Sequence, residues 1–142
     1  MKSIKVPSFV IVITLLTSTI ATVLGVWAAL FTETHPQYLE GAYKLVLSWS
    51  GRELGQGLSG LFAVFVLRDA RAIAIVLLSA WVREVIDFID FFRIAGTPLR
   101  LYFVVGTSVI LHSTALYFTW DAIRKHKQDH QSLEAGVVPN SG

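Results

Sequence analysis

The sequence predicts an all-α protein, a four-transmembrane-helix bundle with both termini cytoplasmic. Three observations indicate this: few charged residues, two long apolar stretches without charge, and basic residues grouped on one side of the predicted bundle. Of 142 residues, 54% are hydrophobic and 15% are charged, whereas soluble domains carry roughly 25% charged residues. The predicted spans are about 6–32, 48–67, 72–92 and 101–120.

The first and last spans are the clearest. The stretch 6–32 contains no formal charge and exceeds the ~20 helical residues that cross a ~30 Å hydrocarbon core. A signal peptide is the competing interpretation because Lys2 and Lys5 precede the stretch. Signal cores are only about 7–15 residues long, so we favour an anchored helix. The stretch 101–120 is also free of formal charge, and His112 is its one residue that titrates near neutral pH.

The two middle spans each have an apolar half and a polar half. The charge-free pieces, 54–67 and 72–82, are too short to cross the core by themselves. Two full crossings therefore carry the polar halves into the bilayer. The charged residues concerned are Arg52, Glu53, Arg83, Glu84 and Asp87, here called the charged cluster. A re-entrant hairpin over 54–82 is the alternative, and two crossings fit the lengths better.

The basic residues predict the orientation of the bundle. Those before span 1, between spans 2 and 3 and after span 4 fall on one side, which the positive-inside rule assigns to the cytoplasm. They are Lys2, Lys5, Arg68, Arg71, Arg124, Lys125 and Lys127. We therefore predict a membrane domain over 1–125 and a flexible cytoplasmic tail over 126–142, whose end lacks any pattern that favours folding.

The connections on the opposite side are short. The loop 33–47 contains Pro36 and then a mixed polar and apolar stretch, which predicts a short interfacial helix before span 2. The segment 93–100 is predicted to be a tight turn, because Gly96 and Pro98 end helices.

Small residues predict how the helices pack. In lipid, close backbone approach holds helices together, so glycine, alanine, serine and threonine mark interfaces. Span 1 has Thr14, Ser18, Ala21, Thr22, Gly25 and Ala29 on one face, and span 4 has Ser108, His112, Ala115 and Thr119. Span 2 has Gly51, Gly55 and Ser59 on one face and Gly57 and Gly60 on the adjoining face. A compact bundle follows, and a homodimer through the glycines stays open.

The charged cluster is predicted to lie inside the bundle. At ~1.5 Å per residue, Arg52, Glu53 and Asp87 lie at one depth, and Arg83 and His112 at a second. Charges at mid-bilayer cost at least ~2.5–3.5 kcal/mol each unless paired, so we expect pairs of Arg52 with Asp87 or Glu84 and of Arg83 with Glu53. The candidate ligand-binding residues are Arg52, Glu53, Gln56, Arg83, Glu84, Asp87 and His112.

The charge balance of this cluster indicates one possible role. Two guanidinium groups face three carboxylates, and the acid in excess is expected to hold a proton or bind a cation. His112, with Ser108 one turn away, is the natural partner for such a proton. Ion pairs that only hold helices together are the structural alternative.

Other kinds of site are excluded or not indicated. The chain has no cysteine, which excludes disulfides, thiolate metal sites and thiol catalysis. A net charge of +2 does not indicate nucleic-acid binding. No metal-ligand spacing, phosphate loop or dinucleotide fingerprint is found. We therefore predict no metal site and no nucleic-acid partner, and the cofactor and any catalytic residues are unknown.

Three segments resemble a known family. They are Arg52-Glu-Leu-Gly-Gln-Gly-Leu58, the turn Arg68-Asp-Ala-Arg71, and a charged helix end before Gly96-Thr-Pro98. Over about residues 6–120 the chain resembles the DoxX-like superfamily of small four-helix bacterial membrane proteins, closest to members classed as domains of unknown function. The resemblance implies a four-helix fold in the cell inner (plasma) membrane. Some relatives are associated with thiosulfate–quinone oxidoreduction, and no residue here carries that chemistry over.

Three functions stay open at this point. We favour a small integral membrane protein that binds a small lipophilic ligand, proton or ion at the charged cluster. The first alternative is a membrane-assembly or structural subunit that uses the charges only for helix packing. The second is a quinone-linked oxidoreductase or isomerase in which a carboxyl and His112 transfer protons, and we do not favour an enzyme. The expected partners are membrane lipid, a quinone or other lipophilic small molecule, and a second copy of the chain.

Overall fold

The computed structural model describes residues 4–31, 43–93 and 98–134. These residues form helices and their connections, without strands, so the predicted all-α class is confirmed. The helices are α1 (Ser8–Leu30), α2 (Tyr43–Phe62), a π-helical segment (Ala63–Leu67) that continues α2, α3 (Ala70–Phe91) and α4 (Leu99–Glu134). Most of the loop predicted to hold an interfacial helix, the centre of the turn predicted at 93–100, and the end of the chain lie outside the described residues.

The observed helices differ from the predicted spans mainly at α4. This helix continues to Glu134, so residues 126–134 of the predicted tail are helical. The polar extension has exposed side chains, and Lys125 pairs with Asp121 at 2.8 Å one turn apart, a spacing that supports an exposed helix. Hydropathy predicts where the apolar span of α4 ends, but the helix continues because the polar residues that follow also favour helix.

Two helices are long and apolar enough to cross a membrane, α1 and the part of α4 that ends at Ser132. Only 28% of the most apolar window of α1 and 11% of that of α4 is buried inside the protein. Helices this apolar and this exposed support a membrane location. Helices α2 and α3 do not reach the same hydropathy, because each carries several charged residues.

The helices form a ring in chain order. Helix α1 packs along α2, and α3 packs along α4. The ring closes through contacts of α1 with α4, such as the edge-to-face pair of Phe9 and Phe118 with centroids 5.0 Å apart, and of α2 with α3. The turn between the π-helical segment and α3 is tight: Arg68 adopts a left-handed conformation (φ 49°), and Asp69 caps α3 by accepting a hydrogen bond from the Ala72 amide.

Glycines bring α1 and α2 into close contact. A Cβ placed on Gly57 would lie 2.6 Å from the Ser18 carbonyl oxygen and the Thr22 amide nitrogen, and one placed on Gly25 would lie 2.7 Å from the Leu54 amide nitrogen. Part of the predicted glycine face therefore packs within the chain. Gly51 and Gly55 have no atom within 4 Å of the equivalent position and lie on an exposed face.

Large apolar side chains cover the exterior of the bundle. They lie on all four helices and include Val12, Leu16, Val23, Leu58, Phe62, Ile75, Leu78, Ile86, Phe103, Val104 and Ile110. The interior is mixed: an apolar core of Val10, Ala63, Ile73, Leu77 and Ala115 lies beside buried polar residues, which are Thr14, Ser18, Ser50, Glu53, Glu84, His112 and Thr119. Exposed apolar surface of this kind marks a membrane or a protein contact surface.

Candidate functional site

The charged cluster lies where α2 faces α3, in the half of the bundle away from the turn at Arg68. Helix α2 supplies Arg52 and Glu53 from its first half, and α3 supplies the remaining three charges from its second half. Because the two helices are connected by a tight turn and run in opposite directions, these halves lie side by side. The structure therefore brings together the charged residues that the sequence predicts.

Arg83 occupies the centre of the charged cluster. Its Nη1 atom donates to Glu53 Oε2 at 2.8 Å across the helix interface, and its Nη2 atom donates to Glu84. The three side chains are largely buried, with exposed fractions of 15%, 6% and 10%. The predicted pair of Arg83 with Glu53 is found. Glu84, the alternative to Asp87 as a partner of Arg52, shares the Arg83 guanidinium instead.

One atom of this central guanidinium has no partner. The Nε atom of Arg83 is buried and makes no hydrogen bond to any described residue. Buried N–H groups almost always have a partner in the protein or in ordered water. The unpaired N–H therefore marks a place within the charged cluster where an acceptor atom would be favoured.

Arg52 and Asp87 form the rim of the charged cluster. Arg52 Nη2 lies 3.4 Å from Asp87 Oδ2, as predicted, and 3.9 Å from Glu53 Oε1. The side chain of Arg52 is 45% exposed and that of Asp87 is 30% exposed. The pair of Arg52 and Asp87 thus connects the buried ion pairs of Arg83 to the surface of the bundle.

Gln56 lies one turn away from the ion pairs and contacts other residues. Its Nε2 atom donates to the Val76 carbonyl oxygen at 3.1 Å, and its Oε1 atom accepts from Ser79 Oγ at 3.1 Å. Both polar atoms of the amide are therefore engaged with the backbone and side chain of α3. The predicted ligand-binding residue joins α2 to α3 rather than joining the charged cluster.

His112 lies on α4, buried with only 2% of its surface exposed. Its Nδ1 atom is 2.8 Å from the Ser108 carbonyl oxygen. A carbonyl oxygen only accepts, so Nδ1 carries the hydrogen and Nε2 of the neutral ring is an acceptor. Glu84 and Arg83 interact with the imidazole electrostatically. Within the described part of the chain, however, no hydrogen bond joins His112 to a carboxylate of the charged cluster.

Two features of this region were not predicted from the sequence. Adjacent helical residues point about 100° apart, so spacing gave no reason to pair Arg83 with Glu84. The side chain of Arg83 is long enough to reach both Glu53 and Glu84, although Glu84 lies on a different face of α3. The hydrogen bond from Trp81 Nε1 to Ser113 Oγ, 2.8 Å long, joins α3 to α4 and has no sequence signature.

Within the described ranges, no group of three or more His, Cys, Asp or Glu side chains is arranged to hold a metal ion. The described charges of the cluster sum to two positive and three negative groups in a largely buried setting. Such an arrangement can hold a proton or a cation, and it can hold helices together.

No family model, curated protein or solved structure matches the chain. The resemblance to the DoxX-like superfamily therefore stays a prediction.

Proposed function

We propose that the chain is a four-crossing membrane protein whose charged cluster is an intramembrane binding site for a proton or small cation. The membrane part rests on the apolar exterior of all four helices and on the charged residues buried between them. Exposed apolar residues on α2 and α3 extend this exterior to the two helices of lower hydropathy, as expected if they cross with their charges turned inward. The contact of α1 with Gly57 supports a retained first helix rather than a signal peptide.

The observation that carries the binding function is the shared guanidinium of Arg83. Two carboxylates, Glu53 and Glu84, bind one buried cation, while the second cation, Arg52, lies at the half-exposed rim with Asp87. Two carboxylates that share a buried site with one cation repel each other, and holding one proton removes the repulsion. His112 interacts electrostatically with Glu84 and is a candidate to exchange that proton.

A lipophilic ligand is the second candidate occupant, and one observation favours it. The buried Nε–H of Arg83 has no acceptor among the described residues. A carbonyl oxygen, such as that of a quinone, would satisfy it within an apolar site. We keep quinone-linked oxidoreduction or isomerisation as a lesser alternative, together with membership in the DoxX-like superfamily and a location in the bacterial inner membrane.

Helix packing without binding is the competing explanation of the charged cluster. Each of its five charged side chains has an opposite charge within 4 Å. Ion pairs of this kind can fix the register of two helices without any other role. The two explanations differ in the protonation of the excess carboxyl, which packing alone does not require.

Infrared spectroscopy tests this difference. The full chain is reconstituted in phosphatidylcholine vesicles, and the carbonyl band of protonated carboxyl groups is followed from acidic to alkaline pH. We expect a protonated carboxyl at neutral pH that disappears in Glu84→Gln or in Glu53→Gln. Asp90→Asn is the control, because Asp90 is half-exposed and, among the described residues, pairs only with Arg93. The absence of a protonated carboxyl at neutral pH, in buffer free of small metal cations, or its persistence in both glutamine variants, would refute proton binding at the charged cluster.

The four crossings are tested separately. Because the chain has no cysteine, single cysteines introduced at Ile4, Asp69, Pro98 and His130 can be labelled in intact cells with a membrane-impermeant maleimide. We expect labelling of the Pro98→Cys variant only, with the other three labelled after the cells are opened. A re-entrant hairpin would leave the cysteine at position 69 unlabelled in both conditions.

A further inference from the structure

An apolar groove runs between α3 and α4 on the outer surface of the bundle, separate from the charged cluster. It has a volume of about 510 Å³ and is lined almost entirely by apolar atoms. Its main lining residues are Ile75, Leu78, Trp81, Leu116, Tyr117 and Trp120. The hydrogen bond from Trp81 to Ser113 fixes the two helices on either side of the groove. The volume lies within the ~300–1,000 Å³ range of small-molecule sites.

Two arginines lie in register with this groove at one end of it. Arg71 precedes the lining residue Ile75 by four positions on α3, and Arg124 follows the lining residue Trp120 by four positions on α4. Residues four apart share a helix face, and the two helices run in opposite directions, so both arginines extend the groove at the same end. Both are exposed, and neither has an ion-pair partner among the described residues.

The acids nearest to these arginines along the chain are engaged elsewhere. Asp121 pairs with Lys125 at 2.8 Å, and the Asp69 carboxylate accepts the hydrogen bond of the Ala72 amide. The groove therefore opens towards positive charge that is not neutralised by its neighbours. Trp120 and Tyr117, both largely exposed, are of the residue types that prefer the boundary between hydrocarbon and headgroups.

We propose that this groove is a binding site for one anionic phospholipid, whose acyl chain lies along the apolar lining and whose phosphate binds Arg71 and Arg124. An apolar groove that ends at two arginines is complementary to an amphipathic anion. Arginine recognises phosphate oxygens with two parallel N–H donors, and basic residues beside a membrane attract anionic lipid. The proposal rests on the membrane location proposed above and not on the charged cluster.

Competition between two lipids tests the site. The full chain is extracted from vesicles of equal phosphatidylglycerol and phosphatidylcholine, and the bound lipids are counted by native mass spectrometry. We expect the protein to prefer phosphatidylglycerol over phosphatidylcholine by about 25-fold, since each of the two arginines contributes a factor of about five. The variant Arg71→Gln/Arg124→Gln should lose the preference. The matched control Arg68→Gln/Lys125→Gln removes the same charge at the same end, outside the register of the groove, and should keep it.

A second variant tests the apolar half of the site. Ala74 also lines the groove, so Ala74→Phe should displace the acyl chain and lower retention of both lipids although both arginines remain. Equal retention of both lipids by the unaltered chain, equal losses in the two double variants, or full retention by Ala74→Phe would each overturn the proposal. So would disulfide dimers of Leu78→Cys, which would show that a second copy fills the groove.

The lipid measurement uses chains whose crossings have first been established by cysteine labelling. Failure of the membrane topology and failure of the lipid site are then separate results. The protonated carboxyl of the charged cluster is expected to be unchanged in Arg71→Gln/Arg124→Gln, which separates this site from the one proposed for proton binding.

Discussion

The Nη1 atom of Arg83 donates a hydrogen bond to Glu53 across the interface of α2 and α3, at 2.8 Å and with both side chains largely buried. The same guanidinium also binds Glu84. Arg83 is therefore the group on which the electrostatic balance of the interior depends. Its removal would leave two carboxylates without their main partner, in a place where charge is poorly solvated.

Replacing Arg83 should destabilise the fold strongly. We expect Arg83→Met to lower the free energy of unfolding by about 3–5 kcal/mol, because breaking a buried ion pair leaves an uncompensated charge. Unfolding of the purified protein in mixed detergent micelles, followed by circular dichroism, measures the change. In the control Arg93→Met, which breaks an exposed pair with Asp90, the loss should be about 0–1 kcal/mol. Similar losses in the two variants would contradict a central role for Arg83.

Replacing Glu53 and Glu84 with glutamine in the Arg83→Met variant should restore much of that stability. In the triple variant Arg83→Met/Glu53→Gln/Glu84→Gln no charge remains at the centre of the cluster. Replacing a whole buried ionic group with neutral residues is often neutral or stabilising. We expect the triple variant to unfold later than Arg83→Met in the same micelle titration. No recovery would mean that the loss in Arg83→Met arises from packing rather than from stranded charge.

Neutralising one acid should be tolerated better than neutralising one base. The cluster holds two bases and three acids, one of which is proposed to be protonated, so Glu84→Gln leaves two bases facing two carboxylates, whereas Arg52→Gln leaves one carboxylate in excess even when the proton is held. Unbalanced charge in an apolar interior is the costly state. The midpoint of thermal unfolding should therefore fall more in Arg52→Gln than in Glu84→Gln, although Glu84 is the more deeply buried of the two. The reverse order would show that burial rather than charge balance decides.

The sequence predicted the pairs Arg83–Glu53 and Arg52–Asp87. Counting along two antiparallel helices places Arg52 and Asp87 at one depth, because the rise per residue is constant. It places Arg83 at a second depth, and the long side chain of Arg83 reaches Glu53 across the difference. Counting could not predict the contact of Arg83 with Glu84, which depends on side-chain torsion angles. It also could not separate Gln56 from the charged cluster, because one helical turn decides whether an amide meets an ion pair or a backbone carbonyl.

The glycines show a similar division between what the sequence predicts and what it leaves open. Their small size predicted close helix contact, but only the structure shows that Gly57 of α2 packs against α1 whereas Gly51 is exposed.

We expect Gly57→Ala to lower the free energy of unfolding by about 1–3 kcal/mol, since the new methyl group would overlap the α1 backbone. Gly51→Ala meets no atom within 4 Å and should be neutral or slightly stabilising, because alanine favours helix. Micelle unfolding of the two variants side by side distinguishes them.

Gln56 provides a way to separate helix packing from binding. Its amide joins α2 to the Val76 carbonyl oxygen and to Ser79, so Gln56→Leu should lower the free energy of unfolding by about 1–3 kcal/mol through loss of these bonds. It removes no charge, so the protonated carboxyl expected at neutral pH should keep its infrared band and its pH dependence. Ser59→Ala, on the exposed face of α2, is the control for stability. If Gln56→Leu abolishes the protonated carboxyl while the fold persists, the side chain of Gln56 controls the charge of the cluster. Gln56 would then count among the residues of the binding site.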